Sequence, residues 1–123
     1  MLIDCGLSGK ETLRRLEEAQ IAPESLDAIF VTHEHTDHIT GLAGLSRKIK
    51  KPIFLTEQTA GAIEDCKADG HFQSFPAGAS FEFGSFRVQS FSLPHDAVDP
   101  VGYTFESASG KVGVCTDLGY ITD

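Results

Sequence analysis

One short segment constrains the fold of this chain more than any other, because an apolar run passes directly into a cluster of histidines. Residues 28–31 are continuously apolar, which is typical of a buried β-strand. His33, His35 and His38 follow closely, interleaved with Asp37. If the strand continues in extended form, positions 33, 35 and 37 point to the same side. Packing gives no reason for an apolar strand to present imidazoles and a carboxylate on one side.

These side chains have the chemistry of a metal site. Histidines crowded on one side repel one another when protonated, and desolvation disfavours their charge, so a metal ion is their natural partner. Imidazole and carboxylate ligands suit zinc, manganese or iron, and the segment has no cysteine for a structural zinc knot. The zincin pattern His-Glu-x-x-His is excluded, because Asp37 stands where its second histidine is required. The sequence also lacks a nucleotide-binding P-loop and a dinucleotide-binding glycine fingerprint.

The first half of the chain is predicted to alternate helices with strands. Ser8 begins a helix with a capping-box pattern, and the apolar strand at 28–31 follows it. We expect a second helix over about residues 39–49, because its apolar residues recur at helical spacing. A strand over 53–55 and a third helix reaching about Cys66 complete this part of the prediction.

The second half of the chain changes to a period of two. Apolar residues alternate with polar ones on both sides of Gly84, which predicts a β-hairpin. A further strand pair is predicted, residues 101–105 with 111–115, around a Ser-Gly turn. Helices mixed with strands in this order indicate an α+β fold.

The charge of the chain limits the partners it can bind. Ten basic residues face 18 acidic residues, a net charge of −8 for 123 residues. Such a surface repels polyanions, which argues against a metal-free nucleic-acid-binding module. Four cations do cluster within residues 47–51. We interpret them first as helix-end cations facing a negative dipole, with a phosphate-binding patch as the alternative.

Cysteine usage and hydropathy point to a cytoplasmic protein. The three cysteines are scattered and odd in number, which does not indicate a disulfide framework and favours a reducing compartment. No stretch approaches the roughly 20 apolar residues needed to cross a bilayer, and no basic-then-apolar leader directs secretion. We therefore expect no membrane association.

Two further polar residues stand where predicted strands end. His95 follows one apolar strand after a proline, and Asp117 follows another. Side chains at the ends of several strands can converge on one site. His71 fits no motif and is expected to be a surface or loop histidine.

The ordered motifs resemble those of the metallo-β-lactamase fold superfamily. The motifs are Leu-Ile-Asp-Cys-Gly at 2–6, Thr-His-Glu-His-Thr-Asp-His at 32–38, Pro-His-Asp at 94–96 and Thr-Asp-Leu-Gly at 116–119. Within that superfamily the chain is most similar to the bacterial WalJ/YycJ-like nuclease branch. A His-x-His-x-Asp-His segment in register with a later histidine and aspartate is a highly specific signal.

The resemblance implies a role for each matching residue. His33, His35 and His95 would form a first metal site. A second site would include Asp37 and His38. Asp117 would bridge two divalent ions, of which zinc is preferred, with manganese or iron as alternatives. Asp37 would also act in catalysis by orienting the attacking hydroxide, and Asp4 would orient the ligands through hydrogen bonds.

The resemblance covers all 123 residues but only the middle of the family's usual length. The family's opening strands and C-terminal half, including a further histidine ligand, have no counterpart here. We therefore expect residues 1–123 to form a partial metallo-β-lactamase-like domain, a mixed β-sheet with flanking helices that makes up little more than half of an αββα sandwich. An apolar sheet face would then be uncovered, which predicts a homo-oligomer or dependence on the missing half.

The function that the resemblance implies is hydrolysis by a metal-activated hydroxide. Phosphodiester bonds are the favoured target, as in a DNA or RNA exonuclease, so nucleic acid is the expected substrate. Two divalent ions would supply the positive charge that the acidic surface lacks. The alternatives are a thioester, lactone or ester hydrolase of the same fold and a non-catalytic metal-binding fragment. An oxygen-reducing di-iron protein is disfavoured, because such relatives carry glutamate where His35 stands.

Overall fold

A computed structural model describes residues 1–63 and 71–121 of the chain. The strands are β1 (Leu2–Ile3), β2 (Ile29–Phe30), β3 (Ile53–Thr56), β4 (Phe72–Phe75), β5 (Ser80–Phe83), β6 (Phe86–Ser92), β7 (Val101–Ser107) and β8 (Gly110–Val114). The helices are α1 (Gly9–Glu18), α2 (Thr36–Ile39), α3 (Leu42–Ile49) and α4 (Glu57–Ala62), with a 3-10 turn at Pro23–Ser25.

The strands form two sheets of four strands each. β1, β2, β3 and β4 lie in that order in a parallel sheet, and β5, β6, β7 and β8 form an antiparallel sheet. Parallel and antiparallel strands therefore lie in two separate sheets, rather than in one mixed sheet. The α+β class is confirmed.

Strand β2 is apolar on both faces because both faces are covered. Ile29 and Val31 belong to a core shared with residues of α1 and α3, such as Leu16 and Leu45. Phe30 points the other way, into the core between the two sheets. Layers therefore follow the order helices, parallel sheet, antiparallel sheet. A strand covered on both sides reads as a continuous apolar run, which explains residues 28–31.

Aromatic rings fill much of the core between the sheets. The ring of Phe30 stacks on Phe54, with centroids 4.8 Å apart. It also meets Tyr103 and Phe105 of β7 edge-on, at 5.5 and 5.1 Å. Such edge-on pairs are favourable beyond their buried area. These contacts fix the position of β7 against β2, the strand that leads into the histidine-rich segment.

The predicted helix over 39–49 was wrong at its start. The structure has two helices, α2 and α3, separated at Thr40–Gly41. A side chain at Gly41 would come within 2.1 Å of the Leu7 carbonyl oxygen, so the loop after β1 occupies this break. Arg47 and Lys48 lie in the last turn of α3, as expected for helix-end cations.

The other predicted elements agree more closely with the structure. Ser8 caps α1, and its hydroxyl oxygen accepts from the Glu11 amide. Strands β5 and β6 pair antiparallel around Gly84, and β7 pairs with β8. The helix predicted after the strand at 53–55 is α4, which ends at Ala62. Its predicted end at Cys66 lies outside the described residues.

The outer face of the antiparallel sheet carries charged residues on neighbouring strands. Arg87 pairs in register with Glu106, and the Lys111 ammonium lies 3.7 Å from the Glu106 carboxylate. Val112 of β8 pairs in register with the core residue Phe105 and is nevertheless 62% exposed, so apolar surface is uncovered at this edge of the inner face. The expectation that a partner or a missing half covers an apolar face stays a prediction. Among the described helices, none has the length and apolar character that a bilayer span needs.

Candidate metal centre

The candidate site lies at one edge of the molecule, where four strands end. Asp4 directly follows β1, and the histidine-rich segment follows β2 in the same parallel sheet. His95 lies in the loop after β6, and Asp117 lies three residues beyond β8. Carboxyl ends of neighbouring parallel strands meet at one edge, which is where such sheets usually bind ligands. All of the predicted site residues are therefore carried to this edge.

Three histidines form the first group. One ligand atom each from His33, His35 and His95 lies within 4.8 Å of the others. The ring of His33 lies 4.6 Å from that of His35 and 4.8 Å from that of His95, measured between centroids. His95 Nε2 is 3.2 Å from His35 Nδ1. Three imidazoles that converge in this way match the ligand set of a mononuclear zinc site.

A second group shares His33 with the first. One ligand atom each from His33, His38 and Asp117 again lies within 4.8 Å of the others. The Asp117 Oδ2 atom is 2.5 Å from His38 Nε2 and 3.6 Å from His33 Nε2. Asp117 has a positive φ of 55°, which is uncommon outside glycine. The two groups form one continuous cluster.

The state of His33 tests whether the cluster suits a metal ion. Its Nε2 atom is buried and has no hydrogen-bond partner, while its Nδ1 lies 2.9 Å from the Thr32 hydroxyl. That hydroxyl donates to Asp4, so its oxygen is left to accept from Nδ1–H of His33. This assignment leaves a lone pair on the buried Nε2, aimed into the cluster. A buried acceptor without a partner is costly, and a metal ion would satisfy it. The residues fit the ion.

The pKa of His33 is consistent with a neutral ligand. Burial lowers this pKa below its ordinary value, and the three neighbouring imidazoles lower it further. Metal binding requires the neutral ring, so this environment favours the binding form.

Asp4 joins the two strand ends beneath the cluster. Its Oδ1 accepts from the Thr32 amide at 2.8 Å, and its Oδ2 accepts from the Thr32 hydroxyl at 2.8 Å. The same Oδ2 lies 2.8 Å from His38 Nδ1. Burial alone would lower the pKa of His38, but the hydrogen bond and charge of Asp4 raise it, assisted by Asp117. These bonds hold the His38 ring with Nε2 facing Asp117.

Asp37 occupies a different position from the one that strand geometry predicts. Strand β2 ends at Phe30 and helix α2 begins at Thr36, so positions 33, 35 and 37 do not continue one extended strand. That interpretation was wrong, because the chain turns into a helix within the motif. The Asp37 side chain is 77% exposed, and its Oδ2 lies 3.6 Å from His38 Nε2. It borders the second group and faces solvent.

The sequence interpretation missed Thr32 and Glu34. Thr32 is fully buried between Asp4 and His33. A polar residue at the end of an apolar run is the sequence signal that could have identified it. Glu34 accepts from the Val98 amide through Oε1, and its Oε2 is buried without a hydrogen-bond partner. His71 is exposed, as expected, and belongs to neither group.

Comparison with known proteins gives relatives that act on nucleic acids. The chain is 39% identical to Exodeoxyribonuclease YycJ of Bacillus anthracis and 40% identical to Exodeoxyribonuclease WalJ of Streptococcus pneumoniae. Each match covers 100% of this chain and 48% of the relative. Ribonuclease Z of Pyrococcus abyssi is 30% identical, over 80% of this chain and 36% of its own length. The chain thus spans about half the length of the curated relatives it matches.

Solved structures show the same fold. A B3 metallo-beta-lactamase with an active-site glutamic acid superposes with a TM-score of 0.72 at 15% identity, over 91% of this chain and 49% of that chain. This likeness confirms the expected metallo-β-lactamase fold, about half of which the chain spans. The sequence profile of the Beta-lactamase superfamily domain matches residues 1–123. Profile, relatives and fold agree with the motifs at the site, and the chain belongs to the beta-lactamase superfamily.

Proposed function

We propose that this chain carries the metal centre of a hydrolase that cleaves phosphodiester bonds in nucleic acid. The observation that carries the proposal is the unpaired, buried Nε2 of His33, which lies where two groups of ligand atoms meet. Packing alone gives no reason to bury such an atom beside three more histidines. The names of the curated relatives support nucleic acid as the substrate class.

The residues divide into two proposed metal sites. His33, His35 and His95 would hold a first divalent ion, and His38 with Asp37 would help to hold a second. Asp117 lies close to both His33 and His38, which supports a bridging role. Imidazole-rich ligands favour zinc, with manganese or iron as alternatives. When bound, the ions would lower the pKa of a water molecule and polarise the scissile phosphoryl oxygen.

The chain's own residues would prepare this chemistry. Asp4 keeps a proton on Nδ1 of His38, and Thr32 keeps one on Nδ1 of His33, so both rings present Nε2 to the cluster. The exposed carboxylate of Asp37 is within reach of solvent beside the second group. We assign it the roles of orienting the attacking water and accepting its proton.

DNA is the favoured substrate, and the cytoplasm is the proposed location. The relatives at 39% and 40% identity are named exodeoxyribonucleases, whereas the ribonuclease is 30% identical. The net charge of −8 would repel DNA, so local positive charge from bound ions is required. The buried free thiol of Cys5 is compatible with a reducing compartment.

The experiment uses end-labelled DNA and RNA of the same sequence, with the chain loaded with zinc or manganese. We expect stepwise shortening of DNA from one end, loss of that activity in Asp37→Ala, and retained activity in His71→Ala. If the chain cleaves RNA in preference to DNA, the substrate is RNA, and the proposed reaction, hydrolysis of phosphodiester bonds, still holds. Hydrolysis of simple thioesters or lactones, with neither nucleic acid cut by the zinc-loaded chain, would contradict the proposal.

A further inference from the structure

The loop that supplies His95 is held at its base by the antiparallel sheet. Leu93 and Pro100 close it, with the Leu93 amide donating to the Pro100 carbonyl at 2.9 Å. Inside the loop, the His95 amide donates to the Leu93 carbonyl and the Ala97 amide donates to the His95 carbonyl, both at 3.1 Å. These bonds shape the turn. A separate bond at the base of the loop, from the Val101 amide to the Thr32 carbonyl at 3.0 Å, joins it to the segment that carries the other two histidines of the first group.

Glu34 makes a further attachment, at the tip of the loop. Its Oε1 accepts a hydrogen bond of 2.9 Å from the amide of Val98, a residue 64 positions later in the chain. Val98 lies three residues after His95, and Glu34 stands between His33 and His35. One side chain therefore ties the tip of the His95 loop to the middle of the histidine motif. A bond to a charged carboxylate is stronger than one between neutral groups.

The second carboxylate oxygen supports a role beyond packing. Glu34 Oε2 is buried and has no hydrogen-bond partner. An unpaired buried carboxylate oxygen costs stability, and an apolar side chain at this position would avoid that cost. The benefit must come from the bond that Oε1 makes. That bond acts on the geometry of His95 and His35, whose facing nitrogens are 3.2 Å apart.

We propose that Glu34 is a positioning residue that holds His95 in the first metal-binding group. This inference rests on the proposed metal centre. Without the bond to Val98, the loop is held at its base and by the contact between the His95 and His35 rings, and we expect its tip to move more and the three imidazoles to converge less closely. Ligand-orienting partners of this kind typically contribute about 10- to 100-fold to metal affinity.

Zinc affinity of the 123-residue chain, measured by competition with a chelating dye, tests the inference. Glu34→Ala removes the acceptor, Glu34→Asp retracts it by one methylene, and Glu34→Gln keeps an oxygen acceptor in place. Glu82→Ala is the matched control, because Glu82 is an exposed carboxylate of β5. We expect about 10- to 100-fold weaker zinc binding for Glu34→Ala, a smaller loss for Glu34→Asp, and recovery in Glu34→Gln. Circular dichroism of each metal-free variant verifies the fold. If Glu34→Ala does not fold, the zinc affinities of Glu34→Asp and Glu34→Gln are compared with each other instead, and the inference requires weaker binding by Glu34→Asp.

The His95→Ala background separates the possible failures. If Glu34 acts through His95, then Glu34→Ala in that background changes zinc affinity by less than about twofold. A full additional loss there would overturn the inference, because Glu34 would be acting elsewhere. Unchanged affinity in Glu34→Ala, with weakened affinity in His95→Ala, would also overturn it while leaving the metal centre intact. Unchanged affinity in His95→Ala would instead contradict the proposed metal centre itself.

Discussion

The Asp4 carboxylate lies 2.8 Å from Nδ1 of His38, and this contact joins the end of β1 to helix α2 across 34 residues of sequence. Asp4 has a φ of 58°, in the left-handed region, which turns its side chain toward the histidine-rich segment. The backbone follows the same path, since the Cys5 amide donates to the His38 carbonyl at 2.7 Å. The second group of ligands is thus positioned by the strand that begins the chain.

Asp4→Asn is expected to weaken the second metal site. Asparagine tolerates the positive φ of this residue, so backbone strain is unchanged. Its amide cannot accept all three bonds that the carboxylate accepts, and the charge that holds His38 is lost. We expect the affinity for a second zinc ion to fall by about 10- to 100-fold in a calorimetric titration. Asp27→Asn, at an exposed carboxylate, serves as the control, and an equal loss there would reject this explanation.

Tyr103→Phe is expected to destabilise the fold without touching the cluster. The Tyr103 hydroxyl is fully buried and donates to the Val31 carbonyl at 2.6 Å. Removing it leaves a buried carbonyl unpaired, which costs about 1–3 kcal/mol in the free energy of unfolding. Urea denaturation measures the change. Tyr120→Phe is the matched control, because Tyr120 is 67% exposed, and its effect should be close to zero.

Gly6→Ala is expected to displace α2. A Cβ atom at Gly6 would lie 1.7 Å from the Asp37 carbonyl oxygen, so the loop and the helix cannot both keep their positions. We predict a loss of about 1–3 kcal/mol in stability, together with weaker binding of the second zinc ion. Gly61→Ala provides the contrast, since a Cβ there meets nothing within 4 Å and alanine favours the helix. Equal thermal midpoints for the two variants would contradict the prediction.

The stability contributed by Glu11 is expected to depend on pH. Hydrogen bonds from Arg14, and then from Arg15, lower the pKa of Glu11 from 4.5 to about 2. A carboxyl with a lower pKa in the folded state stabilises the fold above pH 4.5, and the contribution disappears as pH falls toward about 2. Glu11→Gln should therefore lower the urea midpoint at neutral pH and have a progressively smaller effect in acid. A difference that stays constant through this range would contradict the assignment. High salt should also reduce the effect of Glu11→Gln at neutral pH, because the ion pairs of Glu11 with Arg14 and Arg15 are exposed.

The residues of the candidate site were predictable because their chemistry is apparent from the sequence alone. His33, His35 and His38 closely follow the apolar run at 28–31, and no packing pattern requires that. His95 and Asp117 follow strands, so their convergence with the motif depends only on strand ends meeting at one edge. The turn into α2 at Thr36 was not predictable from the spacing of 33, 35 and 37, because alternation describes an extended chain and says nothing about where extension stops.

Other features depend on contacts between residues far apart in sequence. Strand Phe72–Phe75 directly precedes the hairpin in sequence, yet it pairs in parallel with β3, because a local sequence pattern does not specify the neighbouring strand. Thr32 acquires its role from Asp4, 28 residues earlier, and Glu34 acquires its role from Val98. No local pattern encodes these partners.

Metal content per chain tests most directly whether His33 is a ligand in a metal centre. Elemental analysis of the purified chain, with His33→Ala and His71→Ala measured in parallel, requires no assumption about substrate. We predict at least one tightly bound zinc, manganese or iron ion per chain, a second at saturating metal, loss of the first ion in His33→Ala, and no change in His71→Ala. A chain that holds no metal, or a His33→Ala variant that holds as much as the unmodified chain, would contradict it.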